Sequence, residues 1–334
     1  MGQGEEKKTR PDSPVEILEK GEIFFFYRPR VNREEAHSPD DVQRLFIVLR
    51  PESGDRPTED KQEPDSGKEG SKRRRRRHDS SSSPSDGKDK DKEGGHGVQK
   101  VNIEKERLMR FIVMGRKSLP DPSKNKGRPF WGFVDLVTTN LDHVKDTLRS
   151  RDYETASGGK RHEAAARAVG EGVYRILRHN PESKKKMHTH LIYKLELPAE
   201  GKTTKSHEPP QEALHIEREG SFVIQIKNPE SGSGGGSGSG FGGLREKRRA
   251  QFPAHLQGGF GNSRRFGPAD PPDLLNYEGC EFLMIAAADD VEEELGLELE
   301  GETERCEDEG SCSDLVKEFG DVVAPAPLLE GTWA

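Results

Sequence analysis

The sequence predicts an α+β, β-rich protein: two repeated antiparallel β-meander-plus-helix units packed together, with long disordered insertions. Three observations carry this reading. Short apolar runs rich in Phe, Val and Ile recur along the chain and are flanked by Gly and Pro, the pattern of strands. The runs fall into two groups of four that share punctuation. Only 29% of the residues are hydrophobic against 34% charged, so no single core can span all 334 residues and solvated stretches must separate the runs.

In chain order the runs are GEIFFFYRPRV (21–31), RLFIVL (44–49), RLMRFIVMG (107–115) and FWGFVDLV (130–137). GVYRILRH (172–179), HTHLIYKLEL (188–197), SFVIQIKNP (221–229) and CEFLMIAA (280–287) follow. In HLIYKLEL, alternation of Leu191, Tyr193, Leu195 and Leu197 suits a sheet with one solvated face. Gly21-Glu22 precedes the first run of one group and Gly170-Glu171 the first of the other; the second runs end at Pro51 and Pro198. Each fourth run leads into a short helix, Asn140–Leu148 or Asp289–Leu295, opened by a capping residue and placing Val and Leu four apart on one face. This correspondence predicts an internal duplication.

The implied organisation is a disordered N-terminus (1–12), a first unit (13–150) with a disordered basic insertion (53–102), a second unit (160–296) with a Gly/Ser linker (231–243), and an acidic disordered tail (297–334). LREKRRAQF (244–252) predicts a short helix ended or restarted by Pro253. Charge is uneven: residues 289–334 hold 16 acidic side chains against Arg305 and Lys317, or −14, which leaves +7 on the rest of a chain of net −7. Leu315, Val316, Phe319 and Trp333 place apolar groups after the acidic run, a composition that folds on a partner.

The cationic block Lys72, Arg73, Arg74, Arg75, Arg76 and Arg77 has no apolar neighbours to bury it, so it suits a nuclear import receptor or nucleic-acid phosphates. It predicts a location in the nucleus, or nucleus plus cytoplasm. Ser80, Ser81, Ser82 and Ser83 are phosphorylation candidates whose added charge opposes anion binding. Cations at strand ends are the candidate anion-binding set: Arg28, Arg30, Arg116, Lys117, Arg161, His162, Arg167, Lys227 and Asn228. Tyr27, Trp131, Phe266 and Tyr277 are the stacking candidates beside them.

No GxSxG, HExxH or Walker loop occurs, so no catalytic residues are assigned. A GxGxxG match at 238–243 falls in nearly pure Gly/Ser and outside any βαβ pattern, so no cofactor is expected. His188 and His190, two apart on a strand, point to one face, but no Cys or carboxylate at ligand spacing joins them. They read as surface histidines, and no metal is expected. Cys280, Cys306 and Cys312 form no framework, no apolar run approaches membrane-spanning length, and a soluble protein of a reducing compartment is expected.

The segments SPVEILEKGEIFFFYRPRV, GEGVYRILRH and LLNYEGCEFLMI resemble an uncharacterised family of soluble plant and bacterial proteins, over about residues 13–52 and 103–300. The resemblance implies no catalytic residues; it implies that any shared chemistry belongs to the β-rich body. The expectation is a non-catalytic binding protein that contacts RNA or another anionic partner through a basic, aromatic-edged β surface. Two alternatives stand beside it. One is an enzyme on a small anionic substrate, with Arg28, Arg161, His162 and Lys227 lining a cleft between the repeats. The other is a protein–protein adaptor acting through the tail.

Overall fold

The structure is a computed structural model that describes residues 4–10, 15–63, 97–121, 123, 128–155, 159–180, 187–198, 208–231, 243–261, 264–287, 291–300 and 313–334. Every apolar run of the sequence is a strand. They are β1 (Val15–Pro29), β2 (Val42–Gly54), β3 (Met109–Met114), β4 (Phe130–Thr138), β5 (Arg167–His179), β6 (His188–Leu197), β7 (Glu219–Lys227) and β8 (Glu281–Ala286). Each half of the chain forms an antiparallel meander, except that β7 and β8 are neighbours across a longer excursion. β1 then pairs with β5 and β4 with β8, which closes an eight-stranded antiparallel barrel in the order β1-β2-β3-β4-β8-β7-β6-β5. The halves therefore share one wall and one interior; they do not pack as two separate units.

Alternation along the strands explains the interior. Phe25 and Tyr27 of β1, Ile47 of β2, Tyr174 and Ile176 of β5, Leu191 and Tyr193 of β6, and Phe222 and Ile224 of β7 share one buried cluster. The opposite face of β1 to β4 is also buried: Phe24, Phe26, Phe46, Val48, Phe111 and Phe133 form a second cluster outside the barrel. Burial on both faces is why the Phe24-Phe25-Phe26-Tyr27 run shows no polar alternation.

Among the described residues, two elements cover most of that outer face. One is helix α1 (Leu141–Leu148), which buries Val144 and Leu148 and starts where the Asn140 side chain accepts the Asp142 N–H at 2.9 Å. The other is the segment expected to be a disordered acidic tail. Residues 313–334 carry α2 (Asp314–Phe319) and α3 (Ala326–Glu330), and Leu315, Phe319 and Leu328 are fully buried. Phe319 meets Phe24 and Phe26 edge-on, with centroids 5.9 and 5.6 Å away. The tail's apolar residues find their partner in the chain's own barrel.

Other expectations need correction. Glu5–Lys8, within the expected disordered N-terminus, pairs antiparallel with Leu297–Glu300. The ends of the basic insertion are ordered, since Thr58–Gln62 pairs with Val98–Asn102; residues 64–96 lie outside the described residues, as do 232–242 and 301–312. Residues 244–252 form only a short 3-10 turn, Glu246–Arg248, and the helix Ala254–Gln257 begins after Pro253. Two close approaches shape the barrel wall. A Cβ on Gly21 would sit 2.1 Å from the Arg50 carbonyl oxygen and 2.8 Å from Pro51 Cα. On Gly172 it would sit 2.0 Å from the Lys194 oxygen and 2.8 Å from Leu195 Cα. Each glycine lies at a register shift, opposite Pro51 before Glu52 or opposite Leu195 before Glu196, where only a residue without a side chain lets the strands meet.

Candidate functional site

The cations singled out by the sequence do not line one groove. Arg28 is buried and donates to the carbonyls of Thr147, Leu148 and Arg149 at 2.6, 3.2 and 3.3 Å, so it caps the C-terminus of α1. Burial lowers its pKa to about 10 against the pull of Glu163, 3.7 Å away. His162 sits between Asp152 (2.7 Å) and Glu34 (3.0 Å), which raise its pKa, with the Asp152 hydrogen bond the main cause. Arg161 pairs across the hairpin Arg151–Thr155/Gly159–Glu163 with Tyr153. Arg167 donates to the Ala165 and Glu34 carbonyls, and Lys117 to those of Pro39 and Asp40.

Arg30 and Arg116 are exposed; Arg116 lies over the Phe130 ring. β7 runs antiparallel to β1, so Lys227 and Asn228 lie at the opposite end of the barrel from Arg28. There Lys227 pairs with buried Glu281 at 3.0 Å, and the Asn228 amide donates to the Arg264 carbonyl. The enzyme reading's cleft, which needs Arg28 and Lys227 together, is not what this barrel builds.

The stacking candidates divide in the same way. Tyr27 is interior and its hydroxyl bridges the carbonyl and N–H of Ala334 at 3.0 and 3.1 Å. Tyr277 is buried against Phe252. Trp131 donates to Glu281 at 3.0 Å, and Phe266 lies under Arg265. The Lys72–Arg77 block and Ser80–Ser83 lie outside the described residues.

Sequence reasoning missed two charged centres, because both are assembled from distant parts of the chain. Inside the barrel, fully buried Arg110 donates from both terminal nitrogens to Glu19 at 2.7 Å, from one of them to Glu59 at 2.7 Å, and from Nε to Asn276 at 2.6 Å. Tyr174 donates to the same Glu19 carboxylate. Burial opposes the Glu19 charge, but Arg110 and its hydrogen bonds hold that pKa below the ordinary value. Burial and the neighbouring Glu19 push Glu59 well above it, so of the two carboxyls Glu59 is the one that favours its protonated form.

The second centre fastens the C-terminal segment to the outer face. Arg50, stacked over Phe24, pairs with Glu22, Glu52, Asp314 and Glu318, and Arg107 also reaches Glu318. Glu171 accepts from the Ser313 hydroxyl and the Asp314 and Leu315 N–H groups at the start of α2. Burial, with Glu52, Asp314 and Glu171 adding and Arg50 opposing, raises Glu22 to about 9. Burial raises Glu171 to about 7 against its hydrogen bonds.

The third feature corrects the reading of the histidines. His179 ends β5 and His188 begins β6, directly opposite in register; His190 follows two residues later on the same face. The rings of His179 and His188 lie 4.9 Å apart, those of His188 and His190 4.9 Å, and those of His179 and His190 5.5 Å. His190 is fully buried, not a surface histidine; its Nδ1 meets Ser221 Oγ at 3.1 Å and its Nε2 has no hydrogen-bond partner among the described residues. Burial, then the neighbouring His188 and His179, lower its pKa to about 3, so it is a neutral imidazole at physiological pH.

Comparison of the chain with protein-family models, with curated proteins and with solved structures finds no match.

Proposed function

We propose that this is a non-catalytic binding protein whose polybasic arm, residues 64–96, serves an anionic partner, RNA being the class that best fits the block Lys72–Arg77. The observation that supports this reading is the rooting of the arm. The hairpin Thr58–Gln62/Val98–Asn102 that brackets residues 64–96 is tied to the barrel by Arg110–Glu59, and to the 3-10 turn Pro272–Asn276 by Arg56–Asp273 and by the Asp60 N–H to Asp273 at 2.6 Å. Val101 and Ile103 bury into the interior cluster beside it. Because Arg28, Lys227 and His162 are committed to partners within the fold, the anion-binding role passes to the arm.

The test is RNA affinity of the full chain as a function of salt. Alanine at all six positions 72–77 should flatten the salt dependence, by about 0.7 in log–log slope for each phosphate contact to single-stranded RNA that is lost. Arg28→Ala and Lys227→Ala should leave it unchanged. An unaltered slope in the arm variant refutes the proposal. The same block fits the acidic groove of a nuclear import receptor, and its alanine variant should move a fluorescent fusion toward the cytoplasm.

The two halves of the barrel are, on this reading, copies of one unit. Support comes from the matching contacts of Gly21 and Gly172 and the matching register shifts at Glu52 and Glu196. This alignment sets Gly21 on Gly172, two residues beyond the Gly170 suggested by the Gly-Glu dipeptides. Superposing β1–β4 on β5–β8 tests it: a best fit in any other register removes the repeat.

A further inference from the structure

We propose that His179, His188 and His190 form a three-histidine site for a divalent transition metal of the zinc class. Their ligand-capable nitrogens all lie within 4.8 Å of one another. A tetrahedral zinc with Zn–N bonds of about 2.0–2.1 Å needs nitrogens about 3.4 Å apart. Small rotations about the side-chain torsions close that difference without moving the strands.

Backbone placement supplies the preorganisation. Antiparallel pairing fixes His179 opposite His188, and the two-residue repeat of the strand sets His190 beside His188 on the barrel's outer face. All three ride on regular strands of the closed wall, which hold ligands more rigidly than loops do.

His190 carries the strongest indication of a ligand. A fully buried ring nitrogen with no hydrogen-bond partner among the described residues is costly, because the desolvation of its lone pair is not repaid. With Nδ1–H donated to the Ser221 hydroxyl, the lone pair sits on Nε2 and a metal supplies the missing interaction. Ser221 then acts as the outer partner that fixes the tautomer of a ligating histidine. Three neutral imidazoles and an open fourth position for water match zinc, with cobalt, nickel or copper as competitors in vitro. A bound ion clamps β5 to β6 where the hairpin opens, so it should stabilise the folded chain by mass action.

The experiment uses the full chain, stripped with a chelator and titrated with zinc chloride against a chromophoric competitor. One equivalent should bind, and saturating zinc should raise Tm. His179→Ala and His188→Ala, at partly exposed positions that the fold should tolerate, should each weaken binding at least tenfold and abolish the rise in Tm. Ser221→Ala should weaken it about tenfold. Cobalt in the same site should show the visible absorption of a four-coordinate ion in the parent chain only. Absence of stoichiometric binding overturns the proposal. So does zinc binding that survives both histidine variants, or that is lost in Cys306→Ser/Cys312→Ser while the histidine variants retain it.

Discussion

Arg110 and Arg50 are both buried arginines on neighbouring strands, yet their surroundings differ in kind. Arg110 faces the barrel interior, where two carboxylates, an amide and a tyrosine hydroxyl close around it. The raised pKa of Glu59, driven by burial and by the Glu19 charge, moves that centre toward charge balance around Arg110. Arg50 lies on the outer face, where Glu22, Glu52, Asp314 and Glu318 converge on it and Arg107 helps only at Glu318. Burial first, and then the carboxylates that outnumber the cations there, raise Glu22 to about 9. The inner network locks the barrel, whereas the outer one fastens a segment whose attachment responds to protons.

Breaking the inner lock should have the largest effect. Arg110→Leu leaves Glu19 and Glu59 buried without their cation, and urea denaturation should show a loss of about 3–5 kcal/mol. Replacing Glu19 and Glu59 with leucine in the same chain should recover much of it, because the apolar trio no longer carries a buried unpaired charge. No recovery would mean that the network also determines packing.

Phe319→Ala opens the apolar contact of α2 with Phe24 and Phe26 and should cost about 3–4 kcal/mol. Hydrogen exchange should rise first in residues 313–334, with the barrel strands following only near global unfolding.

The outer centre should also respond to pH. Glu22 and Glu171 have folded pKa values above the ordinary carboxylate value, about 9 and about 7, so these barrel carboxyls hold protons while the segment is docked and give them up when it is released. Their contribution is fully present below about pH 4.5 and is lost as pH rises, through about 7 for Glu171 and about 9 for Glu22. Raising pH from about 5 to 9 should therefore loosen residues 313–334 by about 1–3 kcal/mol, read from the fluorescence of Trp333 against Tyr27. Glu22→Gln should flatten that profile; a steeper one would contradict the assignment.

The smallest effect belongs to Arg28, whose partners are helix carbonyls and a glutamate that Arg151 also serves. Arg28→Ala should cost about 1–2 kcal/mol by melting the end of α1 and should leave RNA affinity untouched.

Strand positions were legible because a run such as Phe111-Ile112-Val113 is local and its apolar β-branched content is sufficient to specify it. Helix α1 was legible too, since Asn140 and the Val144–Leu148 spacing act within one turn or two. The role of Arg28 was not: a cation after FFFY looks like a surface group until the end of α1 arrives 120 residues later in sequence. The tail was misread for a related reason. Composition measures how acidic 297–334 is on average, but Leu315, Phe319 and Leu328 need only a ready-made apolar face, and the outer side of β1 to β4 provides it.

By itself, then, the sequence determined where strands and caps form and that a polybasic block interrupts the first meander, because those depend on neighbours in the chain. Only the tertiary structure decided that the halves close one barrel through β1–β5 and β4–β8. It alone set Arg110 between Glu19 and Glu59, laid the acidic tail on the outer face and brought His179 across from His188 and His190. Each of these is a pairing between residues whose separation carries no local signal. What selects it is burial: a charge, an aromatic ring or an imidazole lone pair taken out of water must meet its complement in space, wherever that complement lies in the chain.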